Sequence, residues 1–151
     1  MGPNVRHEEV LPTLIGKSRK FIKRQQKNNP DDPFFLYPPL TAPHTPWLPL
    51  DEYEGASGAG VYGDFMAQVD HGVGRVLSLL EALDLRDDTL AFFSSDNGPV
   101  WFEADRQRTG HHSTGPLRGM KIDAWEGGAP DAITGTLARQ TYPPAPQATS
   151  R

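Results

Sequence analysis

The sequence predicts one α/β domain, and three stretches carry that expectation. "FFLYPPL" at 34–40 and "TLAFFSSD" at 89–96 read as buried strands, since apolar runs without alternation suit strands covered on both faces. Between them, Tyr62, Met66, Val69, Val73, Val76, Leu80 and Leu83 recur at alternating steps of four and three, the spacing of one helix face. Strand, loop, helix, strand is the order of a βαβ crossover, which implies a central, largely parallel sheet flanked by helices.

The 151 residues suffice for one domain with a real core. Hydrophobic residues at 36% and charged residues at 23% suit a globular chain, while 15 glycines and 15 prolines require much loop. A net charge of -4 gives no long-range attraction for phosphate backbones or anionic lipid, so neither nucleic acid nor a membrane is the expected partner. No apolar run approaches the ~20 residues that cross a bilayer, and "MGPNVRHEEV" lacks the apolar core of a secretory signal. The cellular compartment is therefore unspecified. Without cysteine there are no disulfides, thiolate metal sites or thiol nucleophiles.

Taken in order, residues 8–27 form an amphipathic pattern. Leu11, Leu14, Ile15, Phe21 and Ile22 recur at helical steps, and Lys17, Arg19, Lys20, Lys23 and Arg24 fill an outer face read as a solvated surface. Pro12 falls in the first turn, where a missing N–H costs little, and "NNPDDP" ends the helix. Prolines at 38, 39, 43, 46 and 49 then predict a stiff loop leaving the first strand, and "EGASGAG" a flexible one. The helix over 62–83 follows, "DLRDD" turns the chain, and the second strand ends on Asp96 and Asn97. Residues 1–128 are the predicted domain; 129–151, rich in Ala, Thr, Gln and Pro, are expected to be a disordered tail.

In open α/β sheets ligands collect beyond the carboxyl ends of strands, and both strands deliver polar residues there. Asp96 and Asn97 offer a carboxylate and an amide oxygen, the hard ligands preferred by Ca²⁺ and Mg²⁺, although a bare D-N-G is on spacing alone more often a turn. His44, braced by Pro43 and Pro46, is placed for proton transfer or anion contact, or is simply an exposed loop histidine. Arg118 and Lys121 leave a glycine-punctuated stretch open to an anionic group, or are solvated cations. His111-His112 reads as polar loop, "TGPLR" at 114–118 lacks an acidic nucleophile, and Asp70 and Asp70's neighbour His71 point about 100° apart on their helix.

"FFLYPPLTAPHTP", "YGDFMAQVDHGVGRVLSLLEAL", "TLAFFSSDNGP" and "TGPLRGMKIDAWEGG", in this order, resemble the middle portion of a sulfatase of the arylsulfatase type, over about 10–128. The resemblance implies an alkaline-phosphatase-like fold and hydrolysis of sulfate esters on a sulfated small molecule or carbohydrate. It implies one divalent cation, usually Ca²⁺ and less often Mg²⁺, and a formylglycine made from cysteine or serine. By the same resemblance, Asp96 and Asn97 match two metal ligands, His44 the histidine at the sulfate and leaving-group oxygens, and Lys121 the lysine at the sulfate.

The family's paired metal-binding aspartates and Cys/Ser-x-Pro-x-Arg segment have no counterpart here. The expectation is a truncated, inactive piece of a sulfatase, with a frameshift as one origin of the patternless end and self-association through open sheet edges as one consequence. Alternatives are a non-catalytic remnant with weak cation or anion binding, and a phosphate or phosphonate ester hydrolase.

Overall fold

The computed structural model describes residues 6–128 and the backbone of 133–136. Its elements are α1 (Val10–Asn28), α2 (Gly60–Ala82), β1 (Phe92–Ser94), α3 (Glu103–Thr109) and β2 (Ile133–Thr136), with short 3-10 turns at His7–Glu9 and Asp51–Tyr53. Both long helices lie where the apolar spacing predicted them, and Pro12 occupies the third position of α1.

The core is the seam between α1 and α2. Leu11 and Ile15 meet Phe65 and Val69 at one end, and Ile22 meets Leu79 and Leu80 at the other. Gly72 sets how closely the helices approach, because a Cβ there would lie 3.0 Å from Ile15 Cγ1. Ser18, also buried in α1, returns its hydroxyl to the Leu14 carbonyl at 2.9 Å, so its burial leaves no donor unpaired.

The predicted central parallel sheet is not formed by the described residues. Their one ladder is β1 against β2, antiparallel, with Phe92 opposite Thr136 and Ser94 opposite Ile133. Residues 34–40 form neither helix nor ladder among the described residues. They pack on one side only: Phe34 and Leu36 cover the Ile22 end of the seam, while Phe35 and Tyr37 are 87% and 74% exposed. β1 likewise leaves Phe92 67% exposed, so the expectation of strands buried on both faces is corrected. The physical reason is supply: a central strand needs neighbours at both edges and layers on both faces, and these residues provide one helical layer.

The expected disordered tail, 129–151, lies outside the described residues apart from the backbone of β2. The predicted flexible loop 54–60 is instead fastened. The buried carboxylate of Asp64, the fifth residue of α2, accepts hydrogen bonds from the Gly55 amide (3.0 Å), the Ser57 amide (2.9 Å) and the Ser57 hydroxyl (2.7 Å). Those donors favour the ionised form and hold the Asp64 pKa below its ordinary value.

Helix α3 has no counterpart in the apolar pattern. It is polar apart from Ala104 and is stapled by Arg106–Glu103 (3.2 Å) and Arg108–Asp105 (3.1 Å) pairs. Its acids lie in the first turn and its arginines in the last, as the helix dipole favours, and left-handed Gly110 ends it.

Candidate functional site

His44 stands on a loop anchored on both sides. Leu40 and Ala42 before it, and Trp47 after it, pack on the α1–α2 core. Farther along, the Leu50 amide donates to Oε1 of buried Gln68 at 2.9 Å. The loop therefore rides on the helix core, and His44 at its tip is exposed. Its Nδ1 lies 2.8 Å from the Thr45 carbonyl oxygen, an interaction that favours the tautomer with hydrogen on Nδ1 and turns Nε2 outward.

Asp96 and Asn97 follow β1 directly. Asp96 is exposed; Asn97 is half-buried and donates its Nδ2 to the Gly98 carbonyl at 3.0 Å, which leaves Oδ1 to accept. The Ser95 hydroxyl donates to the Asn97 carbonyl at 2.7 Å and tightens the turn.

Lys121 is brought to this turn by the main chain. Its amide donates to the Pro99 carbonyl at 2.9 Å, and the Gly98 amide reaches the Gly128 carbonyl at 3.4 Å. The two segments meet through glycine: a Cβ on Gly98 would sit 1.7 Å from the Gly127 oxygen, and one on Gly128 would sit 2.2 Å from the Met120 oxygen. Ile122, next to Lys121, has φ 86 and is 92% exposed, a left-handed conformation that a β-branched residue adopts only under constraint.

Arg118, expected to be open to an anion, is engaged. Its Nε and Nη2 donate to the two carboxylate oxygens of Glu126 at 2.9 and 3.2 Å, and its guanidinium lies 4.2 Å from the Trp125 ring centre. The Arg118 hydrogen bonds bring the Glu126 pKa from 4.5 to about 2. This pair closes the loop that presents Lys121. Glu126 gave no local signal in the sequence, because a partner eight residues away follows no helix or strand period.

The structure thus gathers Asp96, Asn97 and Lys121 onto adjoining backbone. His44 belongs to a separate loop, related to them through a row of rings: Trp47 to Tyr62 at 5.2 Å, Tyr62 to Trp101 at 5.2 Å, and Trp101 to His111 at 5.8 Å. Trp101 is 7% exposed and donates its indole N–H to the His111 carbonyl at 2.9 Å. Neither Trp47 nor Trp101 belongs to a periodic stripe, which is why pattern reading passes over them; their signal is adjacency to the candidate residues. Beside them a groove of about 420 Å³ is lined by Arg106, His112, Ser113 and Asp123 among others.

As to a metal, Asp96 and Asn97 suit a hard cation in kind but fall short in number. Among the described residues no three His, Cys, Asp or Glu side chains gather to hold one, and Ca²⁺ takes 6–8 oxygens. The pair can form part of a cation's shell and does not constitute a site. No helix among the described residues is long and apolar enough to cross a membrane.

The family whose description is Sulfatase matches residues 13–129, and the chain belongs to the sulfatase family. It is 34% identical over 126 residues to an N-acetylgalactosamine-6-O-sulfatase of Bacteroides thetaiotaomicron, covering 80% of this chain and 24% of that protein. It is 41% identical over 119 residues to the N-acetylgalactosamine-6-sulfatase of Canis lupus familiaris, covering 79% and 22%, and 34% identical over 123 residues to human steryl-sulfatase, covering 81% and 20%. A solved structure from work on the metabolism of multiple glycosaminoglycans by Bacteroides thetaiotaomicron superposes with a TM-score of 0.73 at 34% identity, over 83% of this chain and 26% of that one. Ps i-CgsB in complex with k-i-k-neocarrahexaose gives 0.63 at 28% identity, over 82% and 28%. The chain spans about a quarter of the length of these relatives.

Proposed function

We propose that this chain supplies the sulfate-gripping part of a sulfuric-ester hydrolase acting on a sulfated carbohydrate. The observation that supports the reading is the 2.9 Å hydrogen bond from the Lys121 amide to the Pro99 carbonyl, which sets the lysine segment beside the Asp96–Asn97 turn. Sulfated sugars are the substrates in the printed names of two relatives, the Bacteroides and canine enzymes.

In this reading the Lys121 ammonium binds a sulfate oxygen and offsets charge that grows as the ester bond lengthens. His44 as an imidazolium, with Nδ1–H held by the Thr45 carbonyl, presents Nε2–H to the leaving-group oxygen and delivers that proton to it, so that an alcohol departs instead of an alkoxide and the neutral Nδ1–H tautomer remains. Asp96 and Asn97 would supply two of the oxygens that hold a divalent cation, whose charge would offset that of the sulfate. The residues present do not fit a formylglycine nucleophile: the chain has no cysteine, and "TGPLR" places Thr114 where that motif needs cysteine or serine. No step is assigned through that group. The 151-residue chain alone is accordingly expected to leave an aryl sulfate intact.

The test is a chimera in which residues 13–128 replace the matching quarter of the Bacteroides N-acetylgalactosamine-6-O-sulfatase. Sulfate release should be retained, and Lys121→Ala or His44→Ala should each lower kcat by about 10²–10³. Wild-type rates in the Lys121→Ala chimera would sink the reading.

A further inference from the structure

Cations are segregated in this chain. Helix α1 carries Lys17, Arg19, Lys20, Lys23, Arg24 and Lys27 and contains no acidic residue. None of the six forms an ion pair among the described residues, whereas Arg6, Arg86, Arg106, Arg108 and Arg118 each pair with a carboxylate. A chain with 19 acids against 15 bases thus keeps one surface free of them.

Geometry makes that surface continuous. At about 100° per residue, the buried Leu11, Ile15, Ser18 and Ile22 share one face of α1. Lys17, Lys20, Lys23, Arg24 and Lys27 are all exposed and fall on the opposite face, rising about 5.4 Å per turn. At its flank Arg19 Nε is buried with no hydrogen-bond partner among the described residues. A solvated face needs no such exclusion of acids over 19 residues, since i,i+4 Glu–Lys pairs would stabilise the helix.

We infer that the outer face of α1 binds the anionic polymer to which the target ester belongs, a sulfated glycosaminoglycan chain lying along the helix. The inference rests on the reading of the substrate as a sulfated carbohydrate. Polymer sulfates and carboxylates at regular intervals match a regular row of ammonium and guanidinium groups, and each contact releases counterions. The net charge of -4 opposes a general attraction for polyanions and confines binding to this helix.

The experiment titrates the 151-residue chain with chondroitin sulfate, desulfated chondroitin and duplex DNA, read by fluorescence anisotropy of the labelled polymer. The chain should bind the sulfated glycan in preference to the other two, and affinity should fall at least tenfold between about 50 and 200 mM salt. The variant K20Q/K23Q/K27Q should weaken binding about tenfold with unchanged helical circular dichroism, while K20R/K23R/K27R retains it. No binding, unchanged binding by the glutamine variant, or equal or tighter binding of DNA overturns the inference. Because binding is read without turnover, its failure is separate from failure of the chimera to release sulfate.

Discussion

Gln68 reaches out of the buried face of α2 and accepts the Leu50 amide proton at 2.9 Å, fixing the far end of the His44 loop to the helix core. One side chain thereby couples the loop's position to the packing of α1 on α2. Gln68→Ala leaves the Leu50 amide without its acceptor and is expected to cost about 1–3 kcal/mol. Urea unfolding monitored by circular dichroism gives the loss, and limited proteolysis should show earlier cleavage within 41–50 than in the wild type. A loop equally resistant in the variant would show that Trp47 and Leu40 hold it unaided.

Gly98 is where the Asp96–Asn97 turn touches the Lys121 loop. In Gly98→Ala the new methyl meets the Gly127 carbonyl oxygen, a backbone atom that yields only if the loop moves. A destabilisation of about 1–3 kcal/mol is expected. Amide exchange of Lys121, whose N–H is held by Pro99, should accelerate in the same variant. Unchanged exchange would separate the two segments energetically.

The α1–α2 seam should behave as one cooperative core. Ile22, 1% exposed, packs among Leu79, Leu80 and Phe34. Ile22→Ala is expected to cost about 2–5 kcal/mol and Ile22→Val about 0.5–1.5 kcal/mol, measured as shifts in the denaturant midpoint. A loss below the lower figure for alanine would mean that the seam collapses around the gap.

Acid should loosen the loops before the helices. Glu126, held by Arg118 at a pKa of about 2 against an ordinary 4.5, and Asp64, held low by Ser57 and Gly55, are both depressed in the folded chain. Their stabilisation is full above the unfolded pKa values and is lost as pH falls from about 4.5 toward 2. Trp125 fluorescence, reporting the Arg118 stack, should change across that interval, and Arg118→Gln should abolish the change. A transition centred near neutral pH would contradict the assignment.

The rings of Phe35, Tyr37 and Phe92 are exposed, so the isolated chain is expected to self-associate with rising concentration. Sedimentation should show a shift to larger species that Phe35→Ser together with Phe92→Ser reduces. A monomer at every concentration would remove the expectation.

Much of the helical frame was legible because periodicity is a local property. The stripe from Tyr62 to Leu83 and the apolar steps from Leu11 to Ile22 define α2 and α1, and Pro12 and "NNPDDP" place the ends of α1. Of the two predicted strands, only Phe92–Ser94 within 89–96 forms one, 34–40 joins no ladder among the described residues, and neither is covered as expected. Phe35 and Phe92 announce burial, and burial depends on which other segments are present to cover them. Asp64 was invisible for a related reason: a helix-turn carboxylate looks solvated until the preceding loop folds back and gives it three donors.

By itself the sequence determined the two helices, the order of the motifs around His44, Asp96, Asn97 and Lys121, and the family to which they belong. Only the tertiary structure decided that Lys121 is tied to Pro99, that Arg118 is taken by Glu126, and that the aromatic segments face outward. The division follows from range: helix period and motif spacing are written within a few residues, whereas hydrogen bonds between loops and the covering of a strand depend on segments far apart in the chain.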